Sequence, residues 1–353
     1  MTHSQPILLA YVACWAELKP EQIRGDLLTH VNYAFALIED GRLVSFKDDK
    51  GLGLVRGLKT AYPHLKVLIS IGGWAAEGFS DAALSAESRE RFAESALSFM
   101  HEHGFDGLDL DWEYPGSSFA GIRSRPEDRD NFTALLSLLR QKLDAASDAE
   151  ARTGNARYLL SIATGASAEH VAGVDIAQVA PILDFIGLMT YDLYNGWSTR
   201  TGHHANLFDS LSDPEGDSGD KTVRLFLDAG APAHKLLLGA AFYGRGMNVV
   251  SGGSSELNQP SEPGSNFTRT YDEIMSLSAP EWTRHWDEAA QAPYLRQSAS
   301  FLSYEDPAAL QRKARYTLER GLGGVMFWEY SNNRSAELLS ALHEALRSDK
   351  LSL

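Results

Sequence analysis

Eight short segments of the chain are apolar along all or nearly all of their length: Ile7–Val12, Val31–Leu37, Val67–Ile71, Gly107–Trp112, Tyr158–Thr164, Phe185–Thr190, Leu236–Phe242 and Gly324–Trp328. Strands covered on both faces of a parallel sheet read this way, because neither face meets water. The stretches between them carry helical spacing. Phe132, Leu135, Leu136, Leu139 and Leu143 share one side of a predicted helix. Arg89 to His103 predicts a helix closed by Gly104, and Asp306-Pro307 predicts an N-cap and first-turn proline for a helix ending at Gly321. Eight strands alternating with helices predict an α/β fold, a (β/α)8 TIM barrel. A doubly wound open sheet is the rival; the count of eight and the lack of a Gly-x-Gly-x-x-Gly after the first run favour the barrel.

The longest gap between runs is the last. Phe242-Tyr243-Gly244-Arg245 leads into a Ser/Gly/Pro-rich stretch, Ser251 to Ser265, followed by Tyr271-Asp272-Glu273-Ile274 and the segment Trp282 to Tyr294. A connection this long predicts a small α+β subdomain over 247–299, inserted between the seventh strand and the last helix-strand unit. The expected organisation is therefore one catalytic barrel over 1–353 with that insertion, and Ser210–Asp220 as a surface loop.

Charge narrows the partners. With 47 acidic and 32 basic residues the net charge is −15, which repels nucleic acid and anionic membranes. No apolar run reaches the ~18 residues that span a bilayer, and the apolar start after Met1–Pro6 reads as a strand, not as a signal peptide. The single cysteine, Cys14, is expected to be a buried thiol and excludes an internal disulfide. Adjacent His203 and His204 cannot readily share one ion, so no metal site is expected.

The chemistry concentrates in Asp106-Gly-Leu-Asp-Leu-Asp-Trp-Glu113. Asp109, Asp111 and Glu113 lie at i, i+2 and i+4, so on a strand all three project to one side, ~6.6 Å apart. Three acids facing a barrel interior repel one another and lose hydration, so at least one is expected to stay protonated near neutral pH. A neutral carboxylic acid beside a charged carboxylate is what acid-catalysed glycoside cleavage needs. A solvated edge strand would leave Leu108, Leu110 and Trp112 as a lone apolar face. A calcium loop fails because Tyr114 stands where its glycine belongs and Ala120 where its glutamate belongs.

This segment resembles the Asp-Gly-x-x-Asp-x-Asp-x-Glu signature of family 18 glycoside hydrolases, the chitinases. Four other segments are similar to that family's motifs in order and spacing: Ser70-Ile71-Gly72-Gly73-Trp74, Met189-Thr190-Tyr191-Asp192, Phe242-Tyr243-Gly244-Arg245 and Gly323-Gly324-Val325-Met326-Phe327-Trp328. Trp286 through Pro293-Tyr294-Leu295 resembles the family's insertion. The resemblance runs from Ala10-Tyr11 to Trp328 and also implies the (β/α)8 barrel.

It further implies retaining, substrate-assisted hydrolysis of β-1,4-linked N-acetylglucosamine polymers and oligomers, in which the substrate's acetamido group replaces the protein nucleophile. Glu113 would be the general acid and then the base. Asp111 would take the acetamido N–H, Asp109 would share a proton with Asp111, and Tyr191 would orient the acetamido oxygen. Met189, Asp192, Tyr243 and Arg245 would contact sugar near the cleavage point. Trp328 would be the floor under the reacting sugar, with Tyr11 and Phe35 beside it, and Trp74 and Trp286 would flank the site. No cofactor is implied. The expected partner is chitin or a chitooligosaccharide, met by a monomer; an insoluble polymer favours an extracellular location. A catalytically silent chitin-binding lectin and an endo-N-acetylglucosaminidase are the rivals. Silent relatives typically lose the acid, whereas Glu113, Asp111 and Tyr191 are all present.

Overall fold

All eight apolar runs form strands. The computed structural model describes residues 5–44, 52–250, 256–262, 264–277 and 279–348, so part of the Ser251–Ser265 stretch and the first four residues lie outside the described chain. The strands are β1 (Ile7–Ala13), β2 (His30–Glu39), β3 (Arg42–Val44), β4 (Lys66–Gly72), β5 (Gly107–Asp111), β6 (Leu159–Gly165), β7 (Phe185–Met189), β8 (Leu236–Ala241), β9 (Tyr243–Asn248), β10 (Phe267–Thr270), β11 (Thr283–Asp287), β12 (Ala292–Gln297), β13 (Ser300–Ser303) and β14 (Gly324–Trp328). The parallel order β1-β14-β8-β7-β6-β5-β4-β2 closes where β1 pairs with β2, which makes an eight-stranded barrel. β3 only extends β2 as a hairpin.

The helices are α1 (Leu52–Ala61), α2 (Phe79–Ala83), α3 (Ala86–His103), α4 (Asp128–Ala149), α5 (Ala168–Ala172), α6 (Ile176–Val179), α7 (Gly219–Asp228), α8 (Tyr271–Met275), α9 (Pro307–Glu319) and α10 (Glu337–Arg347). Their ends follow the local chemistry. Asp306 accepts from the Ala309 N–H with Pro307 in the first turn, and Gly104, at φ 73°, closes α3 in the left-handed region. Among the described residues no helix is long and apolar enough to cross a membrane.

Strand alternation sorts side chains into two cores. Leu108, Leu110 and Trp112 point outward to the helices. There Trp112 stacks on Phe79 of α2 at 5.3 Å and meets Phe132 of α4 edge-on at 5.2 Å. Leu9, Tyr11, Leu68, Phe185, Leu237 and Met326 fill the barrel interior. The same alternation sends Asp109 and Asp111 inward, so apolar packing on the outer face fixes where the acids point.

The second sheet is antiparallel, in the order β10-β9-β13-β12-β11. Its strands begin at Tyr243 and end at Ser303, outside the expected 247–299, because β9 starts almost directly after β8 and β13 leads straight towards α9. A buried ion pair locks this junction. Lys313 Nζ on α9 lies 2.9 Å from Glu305 and donates to the Gly239 carbonyl at 2.8 Å, while Glu305 accepts from the Ala241 N–H at 2.6 Å. Removing one partner leaves the other charge buried and unpaired, so Lys313→Met is expected to cost about 3–5 kcal/mol in urea unfolding. A Glu305→Gln, Lys313→Met double variant should regain much of that loss. An unchanged midpoint in the single variant would contradict this reading.

Candidate active site

The carboxyl ends of the barrel strands open into one cleft of about 1530 Å³. Small-molecule pockets usually hold ~300–1,000 Å³, so this space suits an extended oligomer. Asp111, Glu113, Met189, Tyr191, Asp192, Tyr243, Arg245, Trp328, Tyr11, Phe35 and Trp74 all line it.

The three acids sit at different depths. Asp109 is fully buried under the cleft, in register with Ser70 on β4 and Ser161 on β6. That layer surrounds it with donors: Tyr11 Oη at 2.9 Å, Ser70 Oγ at 2.8 Å and Ser161 Oγ at 2.6 Å. Burial pushes the Asp109 carboxyl up, and the hydroxyls oppose that push. No hydrogen bond joins Asp109 to Asp111, so the two interact through space. Burial, then the charges of Glu113 and Asp109, push Asp111 well above the usual carboxylate range. Its Oδ1 is buried with no hydrogen-bond partner. β5 ends at Asp111, so Glu113 lies two residues beyond the strand, at the barrel mouth.

Burial raises Glu113 to about 7, with the Asp192 charge adding and a Tyr114 hydrogen bond opposing. If Glu113 is the general acid that the family resemblance implies, kcat/KM should hold below pH 7 and fall about tenfold per unit above it, because an acid donates only while protonated. A wild-type pH profile checks this; a falling limb at pH 4–5, as for an ordinary glutamate, would contradict it.

Asp192 anchors the cleft wall just after β7, two strands from β5. It adopts φ 57° and accepts from Arg245 Nε at 2.7 Å, Arg245 Nη2 at 2.6 Å and Tyr243 Oη at 2.7 Å. Burial alone would raise its pKa, but the Arg245 bonds and the nearby His204 hold it well below the usual range. His204 is buried 3.7 Å from Asp192, and His203 lies against Asp287, so the adjacent histidines support loops. Tyr191 has one contact for its hydroxyl, the Met326 sulfur at 3.9 Å, a weak acceptor. Among the described residues no three His, Cys, Asp or Glu side chains converge as a metal set.

Aromatic rings make the floor and rim. Trp328 stacks on Phe35 at 5.5 Å and contacts Tyr11 at 5.9 Å and Trp15 at 6.0 Å. Two glycines permit this approach. A Cβ on Gly72 would lie 2.1 Å from the Asp111 carbonyl, and one on Gly73 would lie 2.7 Å from the Phe35 ring; both have positive φ. At the rim, exposed Trp74 contacts Trp197 at 5.3 Å and Phe119 at 5.9 Å. Trp286 is not brought to the cleft. It lies on β11, the far edge of the insertion sheet, three strands from β9 and hence about 14 Å from it. Cys14 is half-buried on the cleft wall rather than fully buried.

A family model described as Glycosyl hydrolases family 18 matches residues 7–333. The chain belongs to this family. Chitinase A1 of Niallia circulans is 40% identical over 304 residues, 81% of this chain and 43% of that protein, so the chain spans less than half of that relative. Chitotriosidase-1 of Mus musculus is 35% identical over 345 residues, 91% of this chain and 72% of that protein. Among solved structures, a family 18 N-acetylglucosaminidase from Paenibacillus barengoltzii superposes with a TM-score of 0.90 at 38% identity, covering 96% of this chain and 99% of that one.

Several cleft residues of this family 18 chain escaped sequence reasoning. Ser161 carried a signal, a hydroxyl in the middle of the apolar fifth run, but its match to Asp109 needs the strand register. Phe119 and His170 sit on connections whose placement no periodicity records, whereas Trp15 and Trp197, which the sequence leaves open between sugar platform and loop packing, both line the cleft. Tyr114 follows Glu113 directly, yet its partner is the distant His170, stacked at 3.8 Å. Trp282 is half-buried against the core instead of lining the cleft.

Proposed function

We propose that the chain hydrolyses β-1,4 links between N-acetylglucosamine units of chitin or chitooligosaccharides, with retention and without metal or cofactor, as a monomer. The observation that carries this reading is the orphaned Asp111 Oδ1, a buried acceptor beside the proton-holding Glu113. A buried acceptor without a donor costs free energy that a ligand N–H recovers. The acetamido N–H of the sugar is that donor.

With that contact made, the acetamido carbonyl oxygen is turned towards C1, and the Tyr191 hydroxyl, held only by the weak Met326 sulfur acceptor, steadies it. Glu113 donates its proton to the glycosidic oxygen as the C1–O bond breaks, while the carbonyl oxygen bonds to C1 and forms an oxazolinium ring. Asp111 offsets the positive charge. Glu113, now a carboxylate, takes a proton from the water that opens the ring, restoring the acetamido group and the configuration at C1. Trp328 and Phe35 form the apolar floor under the reacting sugar. Asp192, Tyr243 and Arg245 present polar groups to its hydroxyls and acetyl.

A second reading, removal of single N-acetylglucosamine units, is favoured by the near full-length likeness to an N-acetylglucosaminidase. Product analysis on N-acetylglucosamine hexamer and colloidal chitin tests both. Dimers and longer fragments support internal or dimer-wise cleavage, and monomer alone supports the second reading. No new reducing ends from either substrate would reject both.

A further inference from the structure

His170 on α5 is a cleft-lining side chain that the steps above leave unused. One face of its ring stacks on Tyr114, the neighbour of Glu113, with centroids 3.8 Å apart and planes 26° apart. Its Nδ1 is buried without a hydrogen-bond partner and presses on Gly165 so closely that a Cβ there would lie 2.1 Å from it. The ring is therefore fixed by a stack and by a glycine at the end of β6. Nε2 is its one nitrogen left accessible.

The tautomer follows from these contacts. A proton on Nδ1 would be a buried donor with no acceptor, which costs more than a bare lone pair in the same place. The proton therefore sits on Nε2, and His170 faces the cleft as a neutral hydrogen-bond donor. Burial lowers its pKa, and Glu169 is the one charged neighbour acting against that shift.

Location decides what it meets. Trp328 ends β14, Phe35 lies on β2 and Trp15 follows β1; these strands are neighbours in the barrel and the three rings pack together. His170 follows β6, which flanks β5 on the side away from β4 and β2. If the reacting sugar lies on Trp328, the sugar beyond the scissile bond lies at His170.

We propose that His170 is a specificity-determining residue that donates from Nε2 to a hydroxyl or acetamido oxygen of the departing sugar. The proposal rests on the hydrolytic reading above. The test compares kcat/KM on N-acetylglucosamine tetramer with kcat/KM on 4-nitrophenyl chitobioside, whose leaving group has no sugar oxygen to accept the bond. His170→Phe keeps a ring on Tyr114 and deletes the donor; His170→Leu deletes both. In either variant the tetramer-to-aryl ratio is expected to fall about tenfold, the size of one lost hydrogen bond. An unchanged ratio in a folded variant, whether both rates drop together or neither drops, overturns the contact. Wild-type protein that cleaves neither substrate would instead reject the hydrolytic reading itself.

Discussion

Glu113→Gln is expected to lower kcat on N-acetylglucosamine oligomers by about 10²–10⁴-fold, the usual worth of a positioned general acid. Gln fills the same volume and keeps one carbonyl oxygen, but its amide has no proton to give an alkoxide leaving group. Oligomer affinity should survive, because the Trp328–Phe35 floor and the Trp74–Trp197 rim are untouched. Removing the acid also removes a like-charge neighbour of Asp111, so the variant should fold at least as stably as the parent. Steady-state kinetics beside calorimetric titration with the tetramer separate these effects. Turnover within tenfold of wild type would reject the assignment. Loss of binding along with turnover would place Glu113 in recognition rather than proton transfer.

Asp111→Asn is expected to cost about 10²–10³-fold in kcat, comparable to losing one preorganised electrostatic partner of a transition state. The substitution is nearly isosteric. It replaces a carboxyl whose buried Oδ1 waits for a donor with an amide that, in one of its two orientations, opposes its own N–H to the acetamido N–H. In the proposed mechanism it also removes the negative charge that faces the oxazolinium ring. Unlike the Glu113 variant, this one should bind oligomers more weakly as well, since the acetamido contact exists before bond breaking. A kcat near wild type, with the fold intact by circular dichroism, would show that Asp111 does not touch the reacting sugar.

Much of the barrel was legible because parallel strands covered on both faces must be apolar throughout, and eight such runs stand out between amphipathic stretches. The inward face of the acids was legible for a related reason: Leu108, Leu110 and Trp112 have one apolar place to go, so Asp109 and Asp111 must take the other side. The insertion's limits were less legible. Tyr243–Gly246 and Ser300–Ser303 read as continuations of the barrel, but strand pairing assigns them to the second sheet. Side chains that act through a distant partner were the least visible. The Asp109 hydroxyl cage joins β1, β4 and β6, and the His170–Tyr114 stack joins two loops; both depend on register and loop path. Trp286 shows the converse limit. A tryptophan beside a strand pattern reads as a sugar platform until sheet order puts it on the wrong edge.

The most direct probe is a matched pair of 4-nitrophenyl glycosides, alike except that one carries the 2-acetamido group on the reacting sugar and the other a 2-hydroxyl. Substrate-assisted attack requires nitrophenol release from the first alone, with the second at the rate of the buffer blank even at concentrations that saturate the cleft. Comparable release from both would mean that a protein carboxylate or water attacks C1, and the neighbouring-carbonyl mechanism would be wrong.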